Sequence, residues 1–430
     1  MKYLFIHQNF PGQYLHIVKH LVKNPDNEVV FISQAHERGI PGVRSVFYTF
    51  SENMPEGLHP ALKEIEQGVR RADEVKETAT TLKRLGFTPD IIIGHQGWGE
   101  MLHLTEVYPD VPILGYFEFY YHIKGLDVDF DPEFPVDDHL PSRVRIKNTI
   151  NLLSLTNSGW GQTPTLFQWS IYPEWARKKI SVLREGVNLD ICKPDPAIFH
   201  NDFVIGDFVV HPNEKLVTYV ARGLEPYRGF HIMMRALPRL LRERQDIKVI
   251  IVGRDEVSYG ASLEGGISWR EYYLRKLESQ LDMSRILFAG QTPYSVFTQL
   301  LKRSDAHVYL TYPFVLSWSL REAMATGCAI IASDTAPVKE FIADRTTGIL
   351  TPFLKPASLT DRILEVLEDQ NLAQAIRKAA REEAERSLSM EEYLKNYETL
   401  IAELIAGRNP QTHFGRSPAE AAILAQAEQE

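Results

Sequence analysis

Residues 216–241 read LVTYVARGLEPYRGFHIMMRALPRLL. The β-rich apolar run Leu216–Val220 predicts a buried strand, Arg222 and then Arg228-Gly229 follow in a loop, and apolar residues after Phe230 return at helical spacing. The stretch is thus a strand, a loop and a helix start. Backbone N–H groups at a helix start carry partial positive charge, and a guanidinium adds a rigid fork of donors that matches phosphate oxygens. Arg222 and Arg228 together suit a diphosphate.

The same rhythm extends in both directions. Upstream, Tyr3–His7, Val29–Ser33, Ile91–Gly94 and Ile113–Phe117 predict buried strands, with amphipathic helices at Tyr14–Lys23, Leu62–Leu85 and Glu100–Tyr108. Downstream, Leu216–Val220, Lys248–Val252, Ile286–Phe288, His307–Leu310, Ala329–Ala332 and Gly348–Leu350 repeat the pattern. Alternating strands and helices predict α/β architecture with parallel, doubly wound sheets. In VLREGVNLDICKPDPAIFHNDF, Gly186, Pro194 and Pro196 interrupt both periodicities, which divides the chain into domains 1–200 and 201–389. The end of the chain, 390–430, is helical and includes the Ala/Glu-rich Pro418–Glu430; it either crosses back onto the first domain or forms a surface helix. Open α/β sheets bind ligands beyond the carboxyl ends of their strands, so two facing sheets place the expected active site between the domains.

Composition narrows the function. A chain of 430 residues is long for one core at roughly 150 residues per domain. A formal charge of −9 argues against a general nucleic-acid binder, although a local basic face such as Arg143/Arg145/Lys147 or Lys178-Lys179 leaves peripheral membrane contact open. Cys192 and Cys328 are the only cysteines, so no disulfide framework or cysteine-based zinc site is available; both read as packing residues of a reducing compartment. The start MKYLFIHQNF lacks a signal-peptide layout, and no apolar run approaches the ~18 residues of a membrane span. The expected location is cytoplasmic, with the inner membrane surface open.

Several further motifs carry chemistry. HQNFPGQY follows the first strand, so Gly12 either lets backbone N–H groups approach an anion or serves an ordinary strand-to-helix turn. GHQGWGE has glycines at Gly94, Gly97 and Gly99, in the wrong order for a dinucleotide fingerprint. In TYPFVLSWSLREAMATGCAIIASDTAPVKE, Val315, Leu316 and Ser317 lie where a helix begins and offer N–H groups to phosphate; Gly327 is its expected stop. Glu322 lies inside that helix, where its carboxylate either takes two ribose hydroxyls or is a solvated surface group.

These residues resemble the family 4 retaining glycosyltransferases of the GT-B fold, the bacterial nucleotide-sugar-dependent kind, over nearly the whole chain. Arg222 and Arg228 in ARGLEPYRGF match the family's Arg/Lys pair on the donor diphosphate. Glu322 in REAMATG matches the second glutamate of its Glu-x7-Glu motif, REGVNLD the hinge segment, and FPGQY the N-terminal loop near the phosphates. The resemblance implies two Rossmann-like domains, a nucleotide-diphosphate sugar as co-substrate, no tightly bound cofactor, and a saccharide, lipid-linked or small-molecule acceptor. Gly253, Gln291 and Tyr294 are the further expected donor contacts, the last two flanking the base.

Two departures stand out. Phe314 occupies the place of the motif's first glutamate, which removes a carboxylate expected at the donor sugar. Relatives carry a histidine after the fourth strand, where ILGYFEFYYH places Glu118, with His122 and Tyr120 nearby; Glu118 is assigned to orient the acceptor, and His122 and Tyr120 to bind it, against the alternative of aromatic packing. GLDVDFDPEFPVDD sets Asp127, Asp129 and Asp131 at alternate positions, like a metal motif, but a fold that neutralises diphosphate with arginines leaves this an acidic flap near the acceptor. The expected activity is a metal-independent, retaining hexosyltransferase of surface glycan or glycoconjugate synthesis. The alternatives are a non-catalytic nucleotide-sugar-binding subunit, and an epimerase of the same plan.

Overall fold

The computed structural model describes residues 1–51, 53–135, 138–157 and 159–414. Two compact α/β units emerge. The first takes Met1–Asp129, Glu133–Glu185 and the chain from Glu391; the second takes Phe130–Pro132 and Gly186–Met390.

The first unit is built on β1 (Lys2–Ile6), β2 (Glu28–Ser33), β3 (Val43–Phe47), β4 (Ile91–His95), β5 (Ile113–Tyr116), β6 (Trp160–Thr163) and β7 (Ile180–Val182). They pair in parallel in the order β3-β2-β1-β4-β5-β6-β7. Central strands such as β1 and β4 are continuous apolar runs because helices cover both faces. The helix Lys63–Arg84 shows the matching logic: Ala72, Val75, Ala79 and Leu82 form its buried stripe, Glu64 and Glu66 open it, and Lys83 and Arg84 close it in accord with the helix dipole. Opposite it, Gly99 is required. Its φ is +93°, and a Cβ there would lie 2.5 Å from the Gly68 Cα. The expected helix Glu100–Tyr108 shrinks to Leu104–Val107, since this turn-rich approach delays the helical geometry.

In the second unit a short antiparallel hairpin, β8 (Phe203–Ile205) and β9 (Phe208–Val210), precedes the main sheet. That sheet holds β10 (Lys215–Gly223), β11 (Ile247–Arg254), β12 (Ile286–Gly290), β13 (Ala306–Tyr309), β14 (Ile330–Ser333) and β15 (Ile349–Thr351), parallel in the order β12-β11-β10-β13-β14-β15. The opening stretch of sequence is β10 and the helix Phe230–Glu243, which buries Ile232, Met233, Ala236, Leu237, Leu240 and Leu241.

The unit boundary falls before Gly186, ahead of the expected seam near residue 200. The Val187 N–H donates to the Leu388 carbonyl at 2.8 Å, Arg381 donates to the Cys192 carbonyl at 2.7 Å, and Cys192 and Cys328 are buried in one apolar cluster. These contacts bind the segment after Gly186 to the second unit. Beyond the helix Met390–Ile405 the chain returns to the first unit's sheet: Val182 N–H donates to the Thr412 carbonyl at 2.7 Å, and the Ser181 hydroxyl donates to the Gln411 carbonyl at 2.7 Å. The expected helical tail Pro418–Glu430 lies outside the described residues.

The acidic flap is corrected. Asp131 is buried within the second unit, where its Oδ2 accepts from His231 Nε2 at 2.9 Å and from the Tyr312 hydroxyl at 2.8 Å, while Phe130 packs on Tyr312 and Phe353. Asp127 is also buried. Among the described residues, no helix is long and apolar enough to cross a membrane.

Candidate functional site

A parallel sheet aims the carboxyl ends of its strands at one edge, and in the second unit that edge carries a pocket of about 610 Å³. Arg222 and Arg254 come from the ends of β10 and β11, Gln291 from the turn after β12, Tyr294 from the first position of the helix Tyr294–Arg303, and Ser317 and Glu322 from the start and body of the helix Trp318–Thr326. Gly253 lines it too; a Cβ there would lie 2.6 Å from Leu224 Cδ2 and 3.0 Å from the Ala221 carbonyl oxygen, so the close approach of β11 to the loop after β10 demands glycine.

Arg222 is exposed, and among the described residues no carboxylate pairs with it. The Glu322 carboxylate accepts from the Tyr294 hydroxyl at 2.8 Å, and the Cys192 thiol lies 3.5 Å from that hydroxyl. Because a carboxylate can only accept, the tyrosine proton points to Glu322 and the thiol is the donor to the tyrosine oxygen. Burial pushes the Glu322 pKa up, against the opposing pull of Tyr294 and Arg321. The pocket therefore presents an uncompensated cation at one strand end and an oriented carboxylate on a neighbouring helix.

Arg228 is elsewhere. It is buried, 5% exposed, and its Nη1 donates to Thr311 Oγ1 at 2.9 Å and to the Val315 carbonyl at 2.8 Å. The Tyr259 ring lies over it, 5.1 Å from guanidinium carbon to ring centre. Burial opposes its charge, but Tyr309, Tyr259 and Glu225 outweigh that and hold its pKa above the ordinary value. Glu225, fully buried, accepts the backbone N–H groups of Ser258, Tyr259 and Gly260 at 3.0, 3.1 and 2.8 Å, which fixes the loop bearing Tyr259. The structure thus separates the two arginines of the expected diphosphate site: Arg222 lines the pocket, whereas Arg228 lies outside its lining with Nη1 bonded to Thr311 and Val315.

The helix start is also more self-contained than expected. Val315 and Leu316 are buried, the Ser317 N–H donates to the Tyr309 hydroxyl at 2.8 Å, and the Ser317 hydroxyl caps the helix by accepting from Ser319 N–H at 3.3 Å. Of the three, only Ser317 lines the pocket. Gly327 ends this helix with φ +70°. Phe314 is buried edge-on against Tyr227 and Tyr259, at ring distances of 5.5 and 4.9 Å.

In the first unit a cavity of about 190 Å³ is lined by Arg71, His95, Trp98, Glu118, Tyr121 and Lys147, among others. His95 Nδ1 accepts the Gly97 N–H at 3.0 Å, which puts the ring proton on Nε2, 3.5 Å from Glu118 Oε2. An imidazole N–H thereby faces the carboxylate. Lys147 pairs with Glu64 at 3.2 Å and covers the Tyr121 ring at 4.4 Å, so this part of the basic cluster is partly neutralised.

His122 and Tyr120 do not join this cavity. His122 Nε2 donates to the Ile171 carbonyl at 2.7 Å, and Tyr120 packs on Tyr172 and His122 at 5.5 and 5.7 Å. Gly12 opens the short turn Gly12–Tyr14 over the His7 ring, 3.1 Å from a Cβ built there, and lines neither pocket. His95 and Arg254 are among the pocket residues that sequence reasoning passed over. Their signal was position: each is the last residue of a strand.

Residues 25–192 match the family model "Glycosyl transferase family 4 group" and residues 205–383 match "Glycosyl transferases group 1". The chain is similar to the phosphatidyl-myo-inositol mannosyltransferase of Mycolicibacterium smegmatis, 27% identical over 198 residues, 44% of this chain and 47% of that protein. It is also similar to the D-inositol 3-phosphate glycosyltransferase of Streptomyces avermitilis, 24% identical over 217 residues, 49% of this chain and 44% of that protein. The alignments span about half the length of these relatives. Among solved structures, sucrose-phosphate synthase from Thermosynechococcus elongatus superposes with a TM-score of 0.70 at 15% identity over 95% of this chain and 100% of that one. Anabaena HepE in complex with UDP and glucose gives 0.66 at 17% identity over 94% of this chain and 100% of that one. At such identities the likeness shows the fold, which is GT-B.

Proposed function

We propose, on the premise that the chain belongs to glycosyltransferase family 4, that it moves a hexosyl group from a nucleoside diphosphate sugar to an acceptor hydroxyl with retention at the anomeric carbon. The observation that carries this reading is the juxtaposition of unpaired Arg222 and oriented Glu322 in one pocket at the strand ends of the second unit. Arg222 meets the diphosphate, and Glu322 takes ribose hydroxyls. As the anomeric C–O bond breaks, negative charge grows on the departing diphosphate, and a fixed guanidinium stabilises that state more than the ground state. An arginine fills the role that a metal ion plays elsewhere. The departing phosphate oxygen accepts the acceptor's proton, so no strong protein base is required.

Arg228 acts at one remove. It holds the Val315 carbonyl and so positions the segment leading to Ser317 and the helix of Glu322. For the acceptor, the first unit offers Glu118 facing the His95 N–H in a cavity rimmed by Trp98 and Tyr121, a surface suited to a polyhydroxylated ring. The acceptor classes of the sequence reading, saccharide, lipid-linked or small molecule, stay within the proposal.

The test is nucleoside diphosphate release from UDP-, GDP- and ADP-sugars with and without candidate acceptors. In Arg222→Ala we expect turnover to fall about 100-fold, the usual effect of removing one donor from developing charge. Unchanged turnover in that variant overturns the role. A second reading, binding without transfer, draws support from Phe314, which puts a packed aromatic ring where the family carries a carboxylate. It predicts tight donor binding with no product under any acceptor.

A further inference from the structure

The amino ends of the second sheet carry a cavity of their own, at the edge opposite the pocket of Arg222 and Glu322. Lys215 opens β10 and Asp305 immediately precedes β13, and both line a space of about 730 Å³. One wall is Pro194, Pro196 and Phe199; the other is the helix Gln370–Ser387, with Gln374, Arg377 and Lys378. Thr326 and Gly327, at the end of the helix whose body bears Glu322, complete it. Cavities of roughly 300–1,000 Å³ are the size that holds a small organic molecule.

Two cations of this cavity lack a counter-charge. Arg377 Nη2 donates to the Ser304 and Asp305 carbonyls at 2.7 and 2.9 Å, and its Nη1 to the Gly327 carbonyl at 3.4 Å, so among the described residues its bonds all go to neutral groups. Burial pushes its pKa below the ordinary value. Lys302, in the last turn of the helix Tyr294–Arg303, has no hydrogen bond or ion pair among the described residues. Most carboxylates around the cavity are engaged. Asp305 accepts from Lys215, Arg303 and the Leu216 N–H at 3.3, 2.6 and 2.9 Å, Glu382 lies 3.8 Å from Lys378, and Glu385 takes Arg381 at 2.7 Å. Asp195, on the proline-bearing wall, is the one lining carboxylate without such a partner among the described residues. A guanidinium taken out of water without a carboxylate is costly, and an anionic ligand supplies the missing partner. The Phe199 ring centre lies 5.4 Å from the Arg377 guanidinium carbon, which sets an apolar face beside the cation.

We propose that this cavity binds a small organic anion, with its carboxylate, sulfonate or phosphate group on Lys302 and Arg377 and its apolar body against Phe199, Pro194 and Pro196. The site stands apart from the proposed transfer chemistry, and none of its residues is assigned to that step.

Fluorescence titration of the full chain tests it with anilinonaphthalene sulfonate and with phenylnaphthylamine, which has the same aromatic frame and no sulfonate. Arg377 anchors three carbonyls, so the charge is reversed at Lys302 instead, and melting temperature checks the folding of each variant. We expect one saturable sulfonate site in wild type, at least about tenfold tighter than the neutral probe, the scale of one charge-assisted contact. Lys302→Glu abolishes that preference and leaves the neutral probe's affinity unchanged. Gln374→Trp fills the cavity from an exposed helix position and removes both probes. UDP does not displace the sulfonate, since it seats at the opposite edge of the sheet. Equal affinity for the two probes, sulfonate binding unchanged in either variant, or displacement by UDP overturns the inference, while the roles of Arg222 and Glu322 are judged by nucleotide release alone.

Discussion

A cation's partners decide what it does. Arg222 and Arg228 are six positions apart in the sequence, yet one is open to a pocket and the other is buried against Thr311, Val315 and Tyr259. Removing Arg228 therefore leaves the Val315 carbonyl and the Thr311 hydroxyl without their donor and a void beneath Tyr259. We expect Arg228→Ala to lower stability by about 2–4 kcal/mol, the range for breaking a buried charged network. Arg222→Ala should stay within about 0.5 kcal/mol of wild type, as an exposed side chain without partners. Denaturant unfolding of the two variants checks this. Equal stability of Arg228→Ala and wild type would show that the guanidinium is not structural. The sequence displayed both arginines but not this division, since the partners of Arg228 lie 83 and 87 residues away. The position of Glu322 inside a helix was legible in the sequence, whereas the bond it accepts from Tyr294, 28 residues away, was not.

At the level of elements, strands buried on both faces were the easiest to read. β1, β2, β4, β5 and the six strands of the second sheet announce themselves as apolar runs. β6 escaped because its four buried residues, Trp160–Thr163, are mostly small or polar; Gln162 and Thr163 are paired inside the sheet rather than excluded from it. β3 escaped because it is an edge strand with Arg44 and Ser45 in its middle, and its half-exposed pattern lacks an apolar run. The hairpin β8–β9 carries the turn signal Gly206-Asp207 between two short apolar runs and was readable in principle. The glycines of GHQGWGE stand in the wrong order for a dinucleotide fingerprint, and the sequence assigns them no other role. Gly99 instead allows contact with Gly68 of the helix Lys63–Arg84, and the chemistry of that motif sits in its histidine. Likewise, Arg254 was hidden by being the last residue of a strand, where sequence patterning attends to burial and overlooks the terminal side chain.

For the chain as a whole, composition set the class and left the substrates open. Charge balance argued against a general nucleic-acid binder and two cysteines leave no disulfide framework, whereas base and acceptor depend on a few side chains. Stability against acid is a whole-chain property with an identifiable contributor. His307 is fully buried against Thr218 at 2.8 Å, and burial pushes its pKa down to about 4. The folded protein then binds fewer protons than the unfolded chain between that value and the ordinary ~6.5. The contribution is present in full above the unfolded value and is lost as the pH falls through the folded one, up to roughly 3 kcal/mol. In His307→Gln we expect the stability deficit relative to wild type to shrink between pH 7 and pH 4.5. A deficit that stays constant over that window would remove His307 from the acid response.

The placement of a nucleoside diphosphate on the second unit can be seen directly by determining the structure of the chain with UDP or GDP bound. We expect phosphate oxygens within hydrogen-bonding distance of the Arg222 guanidinium and ribose hydroxyls on the Glu322 carboxylate. A nucleotide seated away from this pocket, or one that leaves Arg222 without a phosphate contact, would contradict the assignment.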